Sequence, residues 1–158
     1  MATDTEVITR LYAAFRARDH AGMAACYAPD AHFSDPVFPD LRGPQVGAMW
    51  RMLCERGTDL RIEASGIEAD GGRGRAHWEA WYTFSATGRM VHNVIEAQFV
   101  LREGLIQAHR DEFDLYRWAR QALGLKGVLL GWAPKVQQAI RRQAATALAR
   151  ATAGWGQG

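Results

Sequence analysis

The hydrophobic period of this chain changes twice, from helical to alternating and, after about Leu115, back to helical. Before about residue 57 apolar side chains recur at helical spacing, and from Leu60 to Tyr116 they alternate, as in a half-buried strand. The alternating stretch is broken at Asp70-Gly71-Gly72, Thr87-Gly88 and Glu103-Gly104, which predicts four strands joined by three turns. Helices followed by a hairpin-linked sheet is an α+β order.

The helical part reads clearly. Thr3-x-x-Glu6 is a capping box, and Val7, Ile8, Leu11, Tyr12 and Phe15 follow as the apolar face of a first helix ending near Asp19. A short second helix is expected from about His20 to Tyr27, a brief strand over Ala31–Asp35, and an irregular loop through Pro36, Pro39 and Gly43. Pro44 suits the first turn of a third helix reaching about Arg56. A bent antiparallel sheet with these helices on its concave side makes a cone that closes a pocket at one end. Residues 1–116 are expected to form that domain and residues 117–158 a helical C-terminal extension. The extension is broken at Gly124, Gly127, Gly131 and Pro134 and carries an apolar stripe at Val136, Ile140, Ala144 and Leu148. Such a tail lies over the pocket mouth or against a partner subunit.

At 158 residues, 48% hydrophobic and 23% charged, the chain has the composition of one globular domain. It shows no signal-peptide pattern and no long apolar run, so the expectation is cytoplasmic, with no membrane partner. Cys26 and Cys54 stand outside disulfide or zinc spacing and read as buried apolar residues. No phosphate-binding glycine loop or ligand-spaced His/Cys cluster is present, so neither cofactor nor metal is expected. Charge is uneven: no Asp or Glu follows Asp114, whereas seven Lys and Arg do, leaving the first 114 residues at −5. A basic tail on an acidic body can touch nucleic acid, anionic lipid or the body itself, and an alanine- and arginine-rich tail reads first as a docked helix, with no nucleic acid as partner.

In the last hairpin, a three-residue loop at Arg102-Glu103-Gly104 would set Ala97 opposite His109, Ile95 opposite Asp111 and Asn93 opposite Phe113. One face then holds Asn93, Ile95, Ala97, Phe99, His109, Asp111 and Phe113. The other holds His92, Glu96 and Gln98 with Arg110, Glu112 and Asp114, a set suited to water or a subunit contact. On the preceding strand Trp78, Ala80, Tyr82 and Phe84 face in, while His77, Glu79 and Thr83 face out. A carboxylate facing an apolar pocket tends to a raised pKa, as acid/base work near neutral pH requires, which makes Asp35 and Asp111 the acid/base candidates, with His109 on the same face as the third catalytic candidate, a hydrogen-bonding partner. Tyr12, Phe15, Phe33, Trp50, Trp78, Tyr82, Asn93, Ile95, Phe99 and Phe113 are the candidate substrate contacts. Each also has a structural reading: Asp111 as a bonded strand-end residue, Asp35 as an Asx turn before Pro36, His109 as a satisfied core histidine, and the aromatics as core.

Tyr27-Ala28-Pro29-Asp30-Ala31, Asp35-Pro36-Val37 and Arg42-Gly43 resemble the signature of ketosteroid isomerases, which implies Asp35 as general base. Gly88-Arg89 through Gly104 to Arg110-Asp111-Glu112-Phe113-Asp114 resembles limonene epoxide hydrolase, which implies Asp111 as the residue that activates water. The departures are equally definite. The isomerase oxyanion positions fall on Leu11 and Ala97, with Tyr12 one residue out of phase; the hydrolase Arg/Asp pair is missing from the strand that holds Trp78 and Ala80, and its tyrosine and asparagine are replaced on the first strand by Phe33 and Asp35. Over residues 4 to 116 the chain is most similar to the SnoaL-like, polyketide cyclase-like group of the nuclear transport factor 2-like (cystatin-like) superfamily. That resemblance implies a homodimer through the sheet and, in an enzyme, Asp111 with His109 and Asn93 as acid/base groups. Three functions are carried forward: a cofactor-free acid/base enzyme (isomerase-, cyclase- or hydrolase-like) on a small hydrophobic carbonyl or polyketide/terpenoid-like compound; a non-catalytic module binding a small hydrophobic ligand; and a dimeric assembly protein with a basic tail.

Overall fold

The computed structural model describes residues 2–156. Met1, Gln157 and Gly158, the ends of the two expected segments, lie outside the described residues. Thr3 caps α1 (Asp4–Arg16), its hydroxyl accepting from the Glu6 amide while its own amide donates to the Glu6 carboxylate, and the buried face is the expected Val7, Ile8, Leu11, Tyr12 and Phe15. Then come α2 (His20–Ala24), β1 (Tyr27–Ser34), β2 (Leu41–Arg42) and α3 (Pro44–Arg56). β3 (Arg61–Asp70), β4 (Arg73–Phe84), β5 (Arg89–Arg102) and β6 (Leu105–Glu112) follow, and the chain closes with α4 (Leu115–Leu123), α5 (Leu125–Leu130) and α6 (Pro134–Trp155).

The strands form one curved, unclosed six-stranded sheet in the order β2-β1-β6-β5-β4-β3. Several details differ from the sequence reading, among them the short strand β2 within the expected irregular loop. The segment from Tyr27, expected to end a helix, begins β1, and β1 pairs parallel with β6 while the other pairs are antiparallel. The β5–β6 register also differs, with Ala97 opposite Asp111 and Phe99 opposite His109. The turn has two residues, Glu103 and Gly104, both at positive φ, and an irregularity at Gln107 inserts one residue. The displacement is two positions, a full side-chain period, so Ile95, Ala97, Phe99, His109 and Asp111 still face inward.

α1 packs across β3 and β4, and α3 against β1, around a core that includes Cys26 and Cys54, both buried free thiols. Asp114 caps α4, accepting from the Arg117 amide, and Leu115, Trp118, Ala119 and Ala122 pack with Val91 of β5. α6 crosses the open end. It buries Leu148, its Arg141 Nε donates to the Pro36 carbonyl at 2.9 Å, and its Trp155 Nε1 donates to Glu55 at 3.1 Å beneath the Arg51 guanidinium.

Candidate functional site

Between the inner sheet face, α3 and α6 lies a cavity of about 450 Å³. The thirteen sequence-selected residues divide here by depth. Asp35, Phe15, Trp50, Trp78, Tyr82, Asn93, Ile95, Asp111 and Phe113 border the cavity. Tyr12, Phe33, Phe99 and His109 do not: at the narrow end α1 and α3 sit directly on the sheet, and these four fill the core beneath the floor. Phe99 lies 4.3 Å and Phe33 4.9 Å from the His109 ring, and Tyr12 packs on Trp78 at 6.0 Å. Tyr12 is therefore corrected from ligand contact to core, as are Phe33 and Phe99. Thr83, expected outward, bonds Asp59 and also borders the cavity. The α6 stripe contributes Val136, Ile140 and Ala144 to the roof.

The parallel register places Phe33 beside His109 and Ser34 beside Arg110. Continued one step past the end of β1, this register brings Asp35 toward Asp111, which β6 still holds opposite Ala97. This juxtaposition spans the fold, and both carboxylates border the cavity as well as a shallower groove under Pro36 and Pro39.

Asp111 ends a buried hydrogen-bond chain. Trp50 Nε1 donates to the Tyr27 hydroxyl at 3.0 Å, Tyr27 meets His109 Nδ1 at 2.7 Å, and His109 Nε2 meets Asp111 Oδ1 at 2.8 Å. Trp78 Nε1 donates to the same Oδ1 at 3.2 Å. Proton counting assigns the tautomer. With the Tyr27 oxygen already accepting from Trp50, its one proton goes to Nδ1, so His109 is neutral and its Nε2–H donates to the Asp111 carboxylate. A doubly protonated His109 would leave the Tyr27 proton without an acceptor. Asp111 Oδ2 takes no hydrogen bond yet is not sealed in, so it is the oxygen that meets the cavity. Tyr27 was missed by sequence reading, because Pro29 hides the start of β1 and its partner lies 82 residues on.

Asp35 is held differently. Its Oδ1 accepts from the Val37 and Phe38 amides at 2.7 and 2.6 Å, the Asx turn expected before Pro36. Burial pushes its carboxyl up to about 7, the Asp111 charge adds to the rise, and the two amide bonds hold it back. Tyr82 accepts from Trp118 Nε1 at 2.7 Å, and its hydroxyl is raised by burial, with the Asp35 charge contributing. The wall thus presents a carboxylate oxygen fixed from behind beside a carboxyl that exchanges its proton near neutrality. That pair can take a proton from one atom of a bound molecule and give one to another.

A family model described as SnoaL-like domain matches residues 8–109. None of the curated proteins matches the chain. Among solved structures, it is similar to a candidate polyketide cyclase from Pseudomonas putida at 23% identity, covering 77% of this chain and 99% of that one, with a TM-score of 0.65. It is also similar to a Catenulispora acidiphila protein of ketosteroid isomerase-like fold, in complex with trimethylamine, at 15% identity, covering 84% and 100%, TM-score 0.68. A limonene epoxide hydrolase-like enzyme of M. tuberculosis gives 20% identity, covering 83% and 92%, TM-score 0.59. At these identities the likeness is one of fold.

Proposed function

This chain belongs to the SnoaL-like domain family, and from that premise we propose that its cavity is the active site of a cofactor-free acid/base enzyme acting on a small hydrophobic carbonyl compound of the polyketide or terpenoid kind. The observation that carries the reading is that Asp111 and Asp35 border one largely apolar cavity, close enough for the charge of one to act on the other. Asp111 Oδ2 takes the proton from the carbon next to the carbonyl, and protonated Asp35 gives one to the oxygen on which charge develops. His109 and Tyr27 act as positioning residues: they fix which Asp111 oxygen is free and touch no ligand. Tyr82 and Asn93 add hydrogen-bonding groups at the wall.

Thermal-shift screening of steroids, terpenoids, aromatic polyketides and fatty acids supplies ligands, since saturation at a hundred times Kd stabilises by about 2.7 kcal/mol. Each hit is then incubated in D2O with wild type and with Asp111→Asn, and deuterium at the carbon next to the carbonyl is followed by NMR. Wild type is expected to catalyse exchange and Asp111→Asn to lose it by at least about a hundredfold while still binding. Equal binding by both proteins with no exchange by either would make the cavity a binding site without chemistry.

A further inference from the structure

α5 inverts the usual arrangement of a surface helix. Its inward positions are glycines: Gly124, Gly127 and Gly131 are buried, and a Cβ on Gly127 would collide with the Ala119 backbone. With glycine inside, the large side chains point out. Leu125, Val128, Leu129, Leu130 and Trp132 are 46–72% exposed, five of the seven exposed large apolar residues among those described. Together they present on the order of 500 Å² of apolar surface, the upper end for an ordinary monomer. The helix is pinned in that pose, since the Tyr116 hydroxyl donates to the Val128 carbonyl at 2.8 Å and Trp132 Nε1 to the Leu129 carbonyl at 2.9 Å.

The surroundings are cationic. Lys126 lies within the helix, Lys135 just after Trp132, and the Arg120 guanidinium 4.9 Å from the ring of Tyr116, which itself holds α5. All three are exposed, and residues 115–158 contain no Asp or Glu. Leucines and a tryptophan ringed by Lys and Arg match a bilayer surface with anionic headgroups, whereas two copies meeting face to face would oppose like charges. Lys126 and Leu123 also border the cavity. We propose that α5 and the turn after it dock on an anionic membrane surface, setting the cavity mouth against the lipid from which a hydrophobic ligand enters. No helix among the described residues is long and apolar enough to cross a membrane, so the chain would lie on the surface rather than span it. The inference does not depend on catalysis.

The test is co-sedimentation with vesicles of phosphatidylcholine alone or mixed equally with phosphatidylglycerol. Binding is expected to the mixed vesicles, to weaken about tenfold without the anionic lipid or in 1 M salt, and to weaken about tenfold in Leu129→Glu with Tm unchanged. A Lys135→Glu variant should lose the preference for anionic vesicles. Absence of binding to either vesicle overturns the proposal, as does equal binding by wild type and Leu129→Glu. Self-association abolished by Leu129→Glu, without vesicle binding, would assign the patch to a second copy of the chain instead.

Discussion

Asp35 serves the turn with one oxygen and the cavity with the other, and that division makes its protonation measurable through stability. Its carboxyl titrates near 7 when folded, against an ordinary value of 3.8. Between those limits the folded chain binds one proton more than the unfolded one, so this residue's contribution to stability falls as pH rises from about 4 to about 7 and is level beyond. Asp35→Asn keeps the oxygen that accepts the Val37 and Phe38 amides and removes the titration. Relative to wild type, its stability should rise across that window by roughly 2 kcal/mol, moderated by the carboxyl's access to the cavity. Thermal melts of both proteins at intervals from pH 4 to 9 would show it, and parallel curves would place the titration elsewhere. Asp35 and Asp111 were legible in the sequence because an Asp-Pro step and strand parity are local signals. Which aromatics reach the cavity was not, because parity gives the face of a strand and not the depth along it: Phe99 and Ile95 share a face, but only Ile95 borders the cavity.

At the level of the element, the last hairpin shows how a local irregularity sets the site. A two-residue turn continued without interruption would pair Ala97 with Arg110 and turn the opposite side chains of β6 inward. The extra residue at Gln107 restores parity, pairing Ala97 with Asp111 and keeping His109 and Asp111 buried. Sequence spacing gave the correct face from a three-residue loop because the two readings differ by a whole period; the bulge itself has no marker in Leu105-Ile106-Gln107-Ala108. The turn carries strain that can be tested. Glu103 has φ of 55° and Gly104 of 76°, a conformation that asparagine accepts far better than glutamate at the first position. Glu103→Asn should therefore stabilise the chain by about 0.5–1 kcal/mol in urea titration with an unchanged m-value. A loss of stability would mean that the turn does not hold this geometry in solution.

For the whole molecule, the question left open by the sequence was whether the C-terminal segment covers the pocket or a partner. The alternating signal of the sheet and the capping box of α1 specified the body, but an apolar stripe on a helix says only that something is covered. In the structure the covered surface is the cavity: Val136, Ile140 and Ala144 form its roof, and Leu148 is buried in the main core. The charge asymmetry allowed a basic tail to touch the acidic body, yet the polar contacts observed between α6 and the body are Arg141 to a carbonyl, Trp155 to Glu55 and the Arg51 guanidinium over the Trp155 ring, beside apolar packing. A roof held this way should be insensitive to salt, because screening acts on charge pairs and not on buried hydrocarbon. A chain ending at Ala133 should stay folded by circular dichroism, since the sheet and α1–α3 retain their mutual packing. It should melt several degrees lower for the loss of Leu148 and its neighbours, and bind any ligand found by thermal shift at least about tenfold more weakly. Wild type in 1 M NaCl should behave as in 0.1 M in both measurements. Unfolding of the shortened chain would make α6 part of the core instead of its cover, and loosening of wild type by salt would return the tail to electrostatic control.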